Sequence, residues 1–277
     1  MNALGLLAAL VCSVPLAAAQ APLSLVSGSS GAAGLDIVRA ESGRAEGIAG
    51  FVTAHVALSP RFSLVADLPI AQATYTPDPL VFVDTAPCPT TCPLPPTYSV
   101  SSFGNPYLGL RVGGAAGAWY QEIGLRVPGV VGEDEDVDGL DLAREVAFMR
   151  AEAFAVRGMA FVALTGVDGT VASFLTVRAR AGAIALLGAR QGDAVLEVEA
   201  VGAWRALRLG ALSQTRIGLP TLERQVGDTW GARLGAEAAL QLGDVRPSVY
   251  VRVPVGGRDD ARLGSQLGLS LALSVNR

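Results

Sequence analysis

Lysine is absent from the 277-residue sequence: all 21 of its Lys+Arg residues are arginine, and His55 is its one histidine. A P-loop and a Schiff-base enzyme each need a lysine, and an HExxH zinc site needs two imidazoles, so these classes are excluded. Charged residues make up only 17% of the chain, with a net charge of −4. That balance argues against a nucleic-acid partner, whose phosphates are bound through clustered cations. Beyond the first twenty or so residues there is no run of about eighteen apolar residues, so no spanning helix is expected. Half of the chain is nevertheless hydrophobic, at 51%. The apolar residues must therefore be dealt out in shorter units.

The chain opens with an apolar run from Ala3 to Val11, then Pro15 and the small-residue stretch Ala17-Ala18-Ala19-Gln20-Ala21. This is the pattern of a secretory signal peptide, expected over 1–21, with Sec-type export and a single mature domain over 22–277. Cys12 falls in the removed segment, leaving Cys88 and Cys92, spaced C-P-T-T-C, in an oxidising compartment. A loop disulfide is expected of them. Half of a zinc site is the alternative, and no second Cys or His pair accompanies it.

In the mature chain hydrophobicity alternates with period two. Phe62, Leu64, Ala66, Leu68 and Ile70 share one face, with Ser63 and Asp67 on the other. The same alternation marks Ile48–Leu58, Val100–Val112, Trp119–Val127, Val171–Ala189, Leu196–Trp204, Leu207–Leu219, Trp230–Leu242, Val245–Val255 and Leu263–Val275. It is weaker near Met159–Leu164 and in a first strand around Leu35–Glu41. About twelve strands result, of about 12 or 13 residues, against about 5 or 6 in an ordinary strand. Strict alternation over such a length is what a tilted strand crossing a bilayer requires.

Short connections (Ser59-Pro60-Arg61, Gly114–Gly117, Gly243-Asp244) alternate with long ones (Thr76–Ser99, Gly132–Asp141, Pro220–Thr229, Gly256–Ala261). Trp119, Trp204 and Trp230 fall on the apolar face near strand ends, where an aromatic girdle would lie. The expected fold is all-β: a transmembrane antiparallel up-and-down β-barrel in the outer membrane of a Gram-negative bacterium, its outer face against lipid. A secreted soluble β-protein is the competing class.

Ser102-Phe103-Gly104-Asn105-Pro106-Tyr107-Leu108-Gly109-Leu110-Arg111-Val112, followed by Gly124-Leu125-Arg126-Val127-Pro128-Gly129, resembles paired strands of the putative phenol-degradation transporter family and its FadL-like relatives. The resemblance implies an outer-membrane barrel passing small hydrophobic or aromatic compounds.

If the apolar face meets lipid, the other lines a lumen. It would carry Arg111, Arg126, Arg178, Arg180, Arg205, Arg208, Arg216, Arg233, Arg246 and Arg252 against Asp67, Glu122, Glu197, Glu199 and Glu237. Ten cations against five anions is an excess of five, which in an open pore favours anions. Arg–Glu pairs cross-bracing a nearly closed interior are the other use of such residues. His55 shares the face of Thr53 and is expected inside, with no Asp-His-Ser constellation beside it.

Asp134, Asp136, Asp138, Gly139 and Glu145 fit D-x-D-x-D-G-x5-E, the spacing of a calcium-binding EF-hand loop. A solvated acidic loop fits as well. Leu142, Val146, Met149 and Ala153 make a helical stripe directly after it. The proline-rich loop Thr76–Ser99 cannot pair as a central strand.

The sequence thus supports a non-enzymatic barrel that passes small solutes, anionic or aromatic, by passive diffusion. The alternative is a closed structural barrel whose outside loops bind calcium, lipopolysaccharide or a protein partner. No cofactor is called for beyond calcium, and the oligomeric state is left open.

Overall fold

In a computed structural model of the chain, the described residues are 31–43, 45–76, 97–113, 119–129, 137–155, 159–187, 191–219, 230–257 and 264–275. Thirteen strand segments run in chain order: β1 Gly31–Ser42, β2 Ala45–Ala57, β3 Phe62–Tyr75, β4 Tyr98–Phe103, β5 Tyr107–Gly113, β6 Trp119–Arg126, β7 Met159–Ala172, β8 Leu175–Leu187, β9 Gln191–Trp204, β10 Leu207–Gly218, β11 Trp230–Leu240, β12 Val245–Gly257 and β13 Gln266–Val275. Every pairing is antiparallel, and β1 bonds both β2 and β13, so the sheet closes on itself. Closure removes the exposed edges that an open sheet of this length would leave.

β4 and β5 occupy one place in the wall. Both pair with β3, from Tyr75↔Tyr98 to Ile70↔Phe103 and from Asp67↔Tyr107 to Phe62↔Val112. Gly104, Asn105 and Pro106 interrupt them opposite Leu68 and Pro69, one residue more than the partner strand supplies. Proline has no N–H for the ladder, so the break falls where the ladder could not continue. The thirteen segments thus make a barrel of twelve wall positions, the architecture expected from the alternation.

Two expected strands are divided, and others shift at their ends, Leu196–Trp204 beginning five residues earlier at Gln191. Val100–Val112 is divided as just described, and the described part of Val171–Ala189, which ends at Leu187, belongs to two strands that meet at a turn around Ser173 and Phe174. The weak stretch near Met159 is in fact the start of a 14-residue strand. Its alternation is blurred because Ala160 and Val162, which face inward, are as apolar as the outward Phe161.

Outward positions carry the large apolar side chains. Leu108, Leu209, Leu267 and Leu269 are among many such residues more than half exposed. In the described strands, the outward charges are Arg39, Glu41 and Glu46, which pair with one another at the end of the barrel beside the β1–β2 turn. All other strand charges face in. Trp119 begins β6, Trp204 ends β9 and Trp230 begins β11, exposed by 47, 69 and 42%. With Phe62, Phe174, Tyr98 and Phe161 they place aromatic side chains around both ends, as the membrane interfaces favour.

Inside, tyrosines lie flat over glycines of the wall. A Cβ on Gly268 would collide with the ring of Tyr250, and one on Gly166 with that of Tyr120. The missing side chain is what lets the ring fold against the neighbouring strand instead of crossing the lumen.

Between β6 and β7 the chain turns into the barrel. Helix α1 (Val137–Val146) and a 3-10 segment (Phe148–Phe154) form an inner element, broken at Ala147. Leu142, Val146, Ala153 and Phe154 of this element are buried against Val38, Ala49, Phe51, Ala71 and Tyr250 of the wall. Of the helical stripe expected from the sequence, Leu142, Val146 and Ala153 face this apolar patch on β1, β2 and β3, whereas Met149, past the break at Ala147, packs against Val65, Tyr107 and Ile184 instead. Phe51 and Phe154 meet edge to face, ring centroids 6.0 Å apart.

Candidate functional site

The site is the lumen and the element that fills it. Alternation turns every second residue inward, and the 3-10 segment supplies the opposite partners from the centre. Arg126 on β6 grips Asp67 on β3 with two hydrogen bonds, Nη1 to Oδ1 at 2.6 Å and Nη2 to Oδ2 at 2.9 Å. Its Nε donates to Glu152 Oε1 at 2.9 Å. Arg216 on β10 approaches the other oxygen of Glu152 at 3.5 Å and donates to Asp193 at 2.6 Å. Glu152 therefore bridges two wall arginines, each of which also holds a wall carboxylate. Burial alone would raise its carboxyl, but Arg126 and Arg216 outweigh it and hold the group below the usual carboxylate range.

A second anchor uses Arg150. It donates to Asp36 Oδ2 at 2.5 Å and lies 3.5 Å from the centroid of Phe51, while Tyr250 donates its hydroxyl to Asp36 Oδ1 at 2.7 Å. A third holds the end of α1. Its last carbonyls have no partners within the helix, and wall side chains provide them. Arg233 Nη2 donates to Glu145 O at 3.0 Å, and Gln266 Nε2 to Val146 O at 2.8 Å. Arg233 is a cation at the negative end of the helix dipole, and its guanidinium also stacks 4.5 Å from the ring of Phe148.

The strand break joins the same network. Asn105, fully buried, donates its backbone N–H to Ala153 O and its Nδ2 to Ala155 O, at 2.6 and 2.8 Å. Its Oδ1 accepts from Gly129 N at 2.8 Å. Extra backbone in the wall is thus spent on holding the inner element.

Toward the end bearing the tight turns, the walls carry cross-strand pairs. Arg111 donates to Glu122 at 2.6 and 2.8 Å, and Tyr107 gives its hydroxyl to the same carboxylate at 2.7 Å. Arg178 lies 3.4 Å from Glu199, and Arg180 lies 3.3 Å from Glu197, to which Gln214 also donates. Glu237 and His55 face inward with partial exposure.

Of the residues expected in the lumen, Arg205 is not there. It occupies the turn after β9 with φ of 53°, exposed, its guanidinium 5.5 Å from the ring of Trp204. Three carboxylates escaped the sequence reading: Asp36, Asp168 and Asp193. Each stands alone in a small-residue or weakly alternating stretch, and only the pairing shows which way it points. Among the described strand residues, nine arginines (111, 126, 178, 180, 208, 216, 233, 246, 252) face eight carboxylates (36, 67, 122, 168, 193, 197, 199, 237). The expected excess of five positive charges shrinks to one.

Cys88, Cys92, Asp134 and Asp136 lie outside the described residues. Gly139 and Glu145, with Asp138, belong to α1. Asp138 and Glu145, the fifth and twelfth positions of the expected loop, thus lie about 10 Å apart along the helix axis. Gly139 is used for close approach instead of a sharp turn, since a Cβ there would press on Val100.

Two small cavities among the described residues lie beside the inner element. Cavities of about 30 Å³ and about 40 Å³ flank Met149 and Arg150, each the size of a water or two.

No family model matches the chain, and no curated protein matches it in sequence. Solved structures similar to it are the KdgM porin (7% identity, TM-score 0.47, covering 88% of this chain and 99% of that one) and the translocator domain of the autotransporter NalP from Neisseria meningitidis (13%, 0.49, 91% and 90%). The TodX deltaS2S3 mutant monoaromatic hydrocarbon channel is similar at 11% identity and a TM-score of 0.42, with 91% of each chain covered. The class is set by the chain's own geometry: a closed antiparallel β-barrel of twelve wall positions, of the outer-membrane kind, with an apolar outer face and a charged interior.

Proposed function

We propose that this protein is an outer-membrane channel for small solutes whose lumen is shut, in this conformation, by the element formed by residues 137–155. It is not an enzyme in this reading, its surroundings are outer-membrane lipid, and the solute crosses by passive diffusion. The observation that carries the reading is how the lumen is filled. Beyond the wall's own ion pairs, a tethered segment occupies it, held by discrete polar anchors at Asp36, Arg126, Arg216, Arg233 and Gln266. Beside it, Thr176, Arg178 and Arg180 of β8 retain partial exposure.

A closed structural barrel is the second reading, favoured by the water-sized cavities on either side of Met149. Its function would then lie in the outside loops and their contacts with calcium, lipopolysaccharide or a protein.

Planar-bilayer conductance separates the two. The wild-type protein is expected to show small or infrequent steps, and a variant lacking 137–155 large and persistent ones. Silence from both, with folding shown by heat-modifiable gel migration, would leave the closed barrel.

A further inference from the structure

The nine lumen arginines divide by strand. Arg111, Arg126, Arg178, Arg180 and Arg216 each have a carboxylate within 4 Å. Arg208, Arg233, Arg246 and Arg252, on the adjacent strands β10, β11 and β12, have none among the described residues. Three of them are not solvated instead, and Arg208 is half-buried. Arg233 is 5% exposed, and Arg246 and Arg252 are 8% exposed. Nη1 of Arg233, Nε and Nη2 of Arg246, and Nε of Arg208 and Arg252 are buried with no hydrogen-bond partner among the described residues. A dehydrated guanidinium without an anion is unfavourable, because its lost hydration is returned only by a counter-charge or by acceptors for its N–H groups.

The strand register sets their spacing. Arg252 faces Gly235 across the ladder, which brings Arg233, two residues along β11, diagonally beside it. On β12 Arg246 and Arg252 are six residues apart, about 20 Å along the strand. Tyr250 lies between them, with the Arg252 guanidinium 4.0 Å from its ring centroid. The charges acting on Arg246 are those of Glu237, Arg178, Glu199 and Arg208, and those on Arg233 are Arg252 and Glu145. At the Arg252 end Asp36 also lies near, but it is held by Arg150 and Tyr250.

We propose that these arginines form an anion-binding stripe of two stations on β10–β12, Arg246 with Arg208 toward the tight turns and Arg252 with Arg233 toward the other end, each taking a small anion of the carboxylate or phosphate class. Guanidinium forks pair with either group through two parallel hydrogen bonds, and the unused N–H groups are the donors for it. The stripe rests on the channel reading for the route by which the solute arrives. It also restores anion preference to a lumen that is almost neutral as a whole, because the surplus cations sit together on one wall.

Calorimetric titration of the refolded full-length protein in detergent at low salt, with citrate and with inorganic phosphate, tests this. A saturable heat with at least one probe is expected, with about half of it lost in Arg246→Gln, about half lost in Arg252→Gln, and none lost in Arg39→Gln at the barrel end. Arg246→Lys, which keeps the charge and loses the fork, should fall between and covers the case in which the glutamine variant does not fold. No heat with either probe from protein shown to be folded, or a heat that neither glutamine variant weakens, overturns the proposal. Titration reads binding whether or not solute crosses. Binding without conductance would count against the channel alone, and conductance without binding against the stripe alone.

Discussion

Arg126 on the barrel wall and Glu152 on the inner element meet at 2.9 Å, with side chains each only 3% exposed. The pair is the point at which the wall and the element filling it become one electrostatic unit, since Arg126 also holds Asp67 and Glu152 also meets Arg216.

Glu152→Gln should loosen this junction without abandoning a buried charge. Arg126 keeps Asp67 and Arg216 keeps Asp193, so the expected cost is about 1–3 kcal/mol, short of the roughly 3–5 kcal/mol of a cation left alone. Larger or longer-lived conductance steps are expected, with the barrel still migrating as folded. Unchanged conductance would show that Arg150–Asp36 and the apolar contacts suffice to hold the element.

Acid should act at the same place. Glu152 has its carboxyl held below the usual range in the folded protein, so its contribution is fully present above the unfolded value and is lost as pH falls through the folded one. The inner element is therefore expected to detach only below the ordinary carboxylate range, seen as a conductance rise or new protease cleavage within 137–155. In Glu152→Gln that acid step should be missing.

Leu269, outward on β13 and 59% exposed, tests the lipid face. Leu269→Arg should cost about 2–4 kcal/mol in a bilayer-inserted barrel near the midplane. On the wet face of a soluble β-protein the same change would be worth less than about 0.5 kcal/mol. Refolding yield into lipid vesicles, measured against urea, distinguishes the two.

Gly268→Ala should displace the Tyr250 ring and with it the hydroxyl that donates to Asp36. A loss of about 1–3 kcal/mol is expected from overpacking, largely relieved in combination with Tyr250→Leu, because the two changes act on one contact. Additive losses in a double-mutant cycle would show that the ring does not need the glycine.

Calcium at about 1 mM, the weak end of the extracellular range, is expected to leave the thermal transition where it is, because Asp138 and Glu145 stand about two helical turns apart. A rise in the transition that Asp134→Ala abolishes would mean that α1 unwinds at its start to form the loop.

Much of this was legible along the chain. Period-two alternation is a local property, so Phe62–Ile70 or Trp230–Leu242 disclosed both a strand and its lipid-facing side, and alternating loop lengths disclosed the up-and-down order. The helical stripe of Leu142, Val146 and Ala153 was equally visible, for the same reason. What one segment's pattern does not contain is its partner. The sequence shows that Leu142 and Val146 share a face, but that Phe51 and Val38 of the wall receive it follows from closure, which brings β1–β3 opposite residues about a hundred positions away. Likewise Asp36 looks unremarkable beside Leu35 and Ile37 until Arg150, 114 residues later, arrives at 2.5 Å. The lumen arginines, Arg205 excepted, were read from residue types and parity, but Asp36, Asp168 and Asp193 were not. Their pairing, which leaves the arginines of β10–β12 without carboxylates, was decided by register and by the inner element, because an ion pair depends on distances of a few ångströms that only the closed barrel defines.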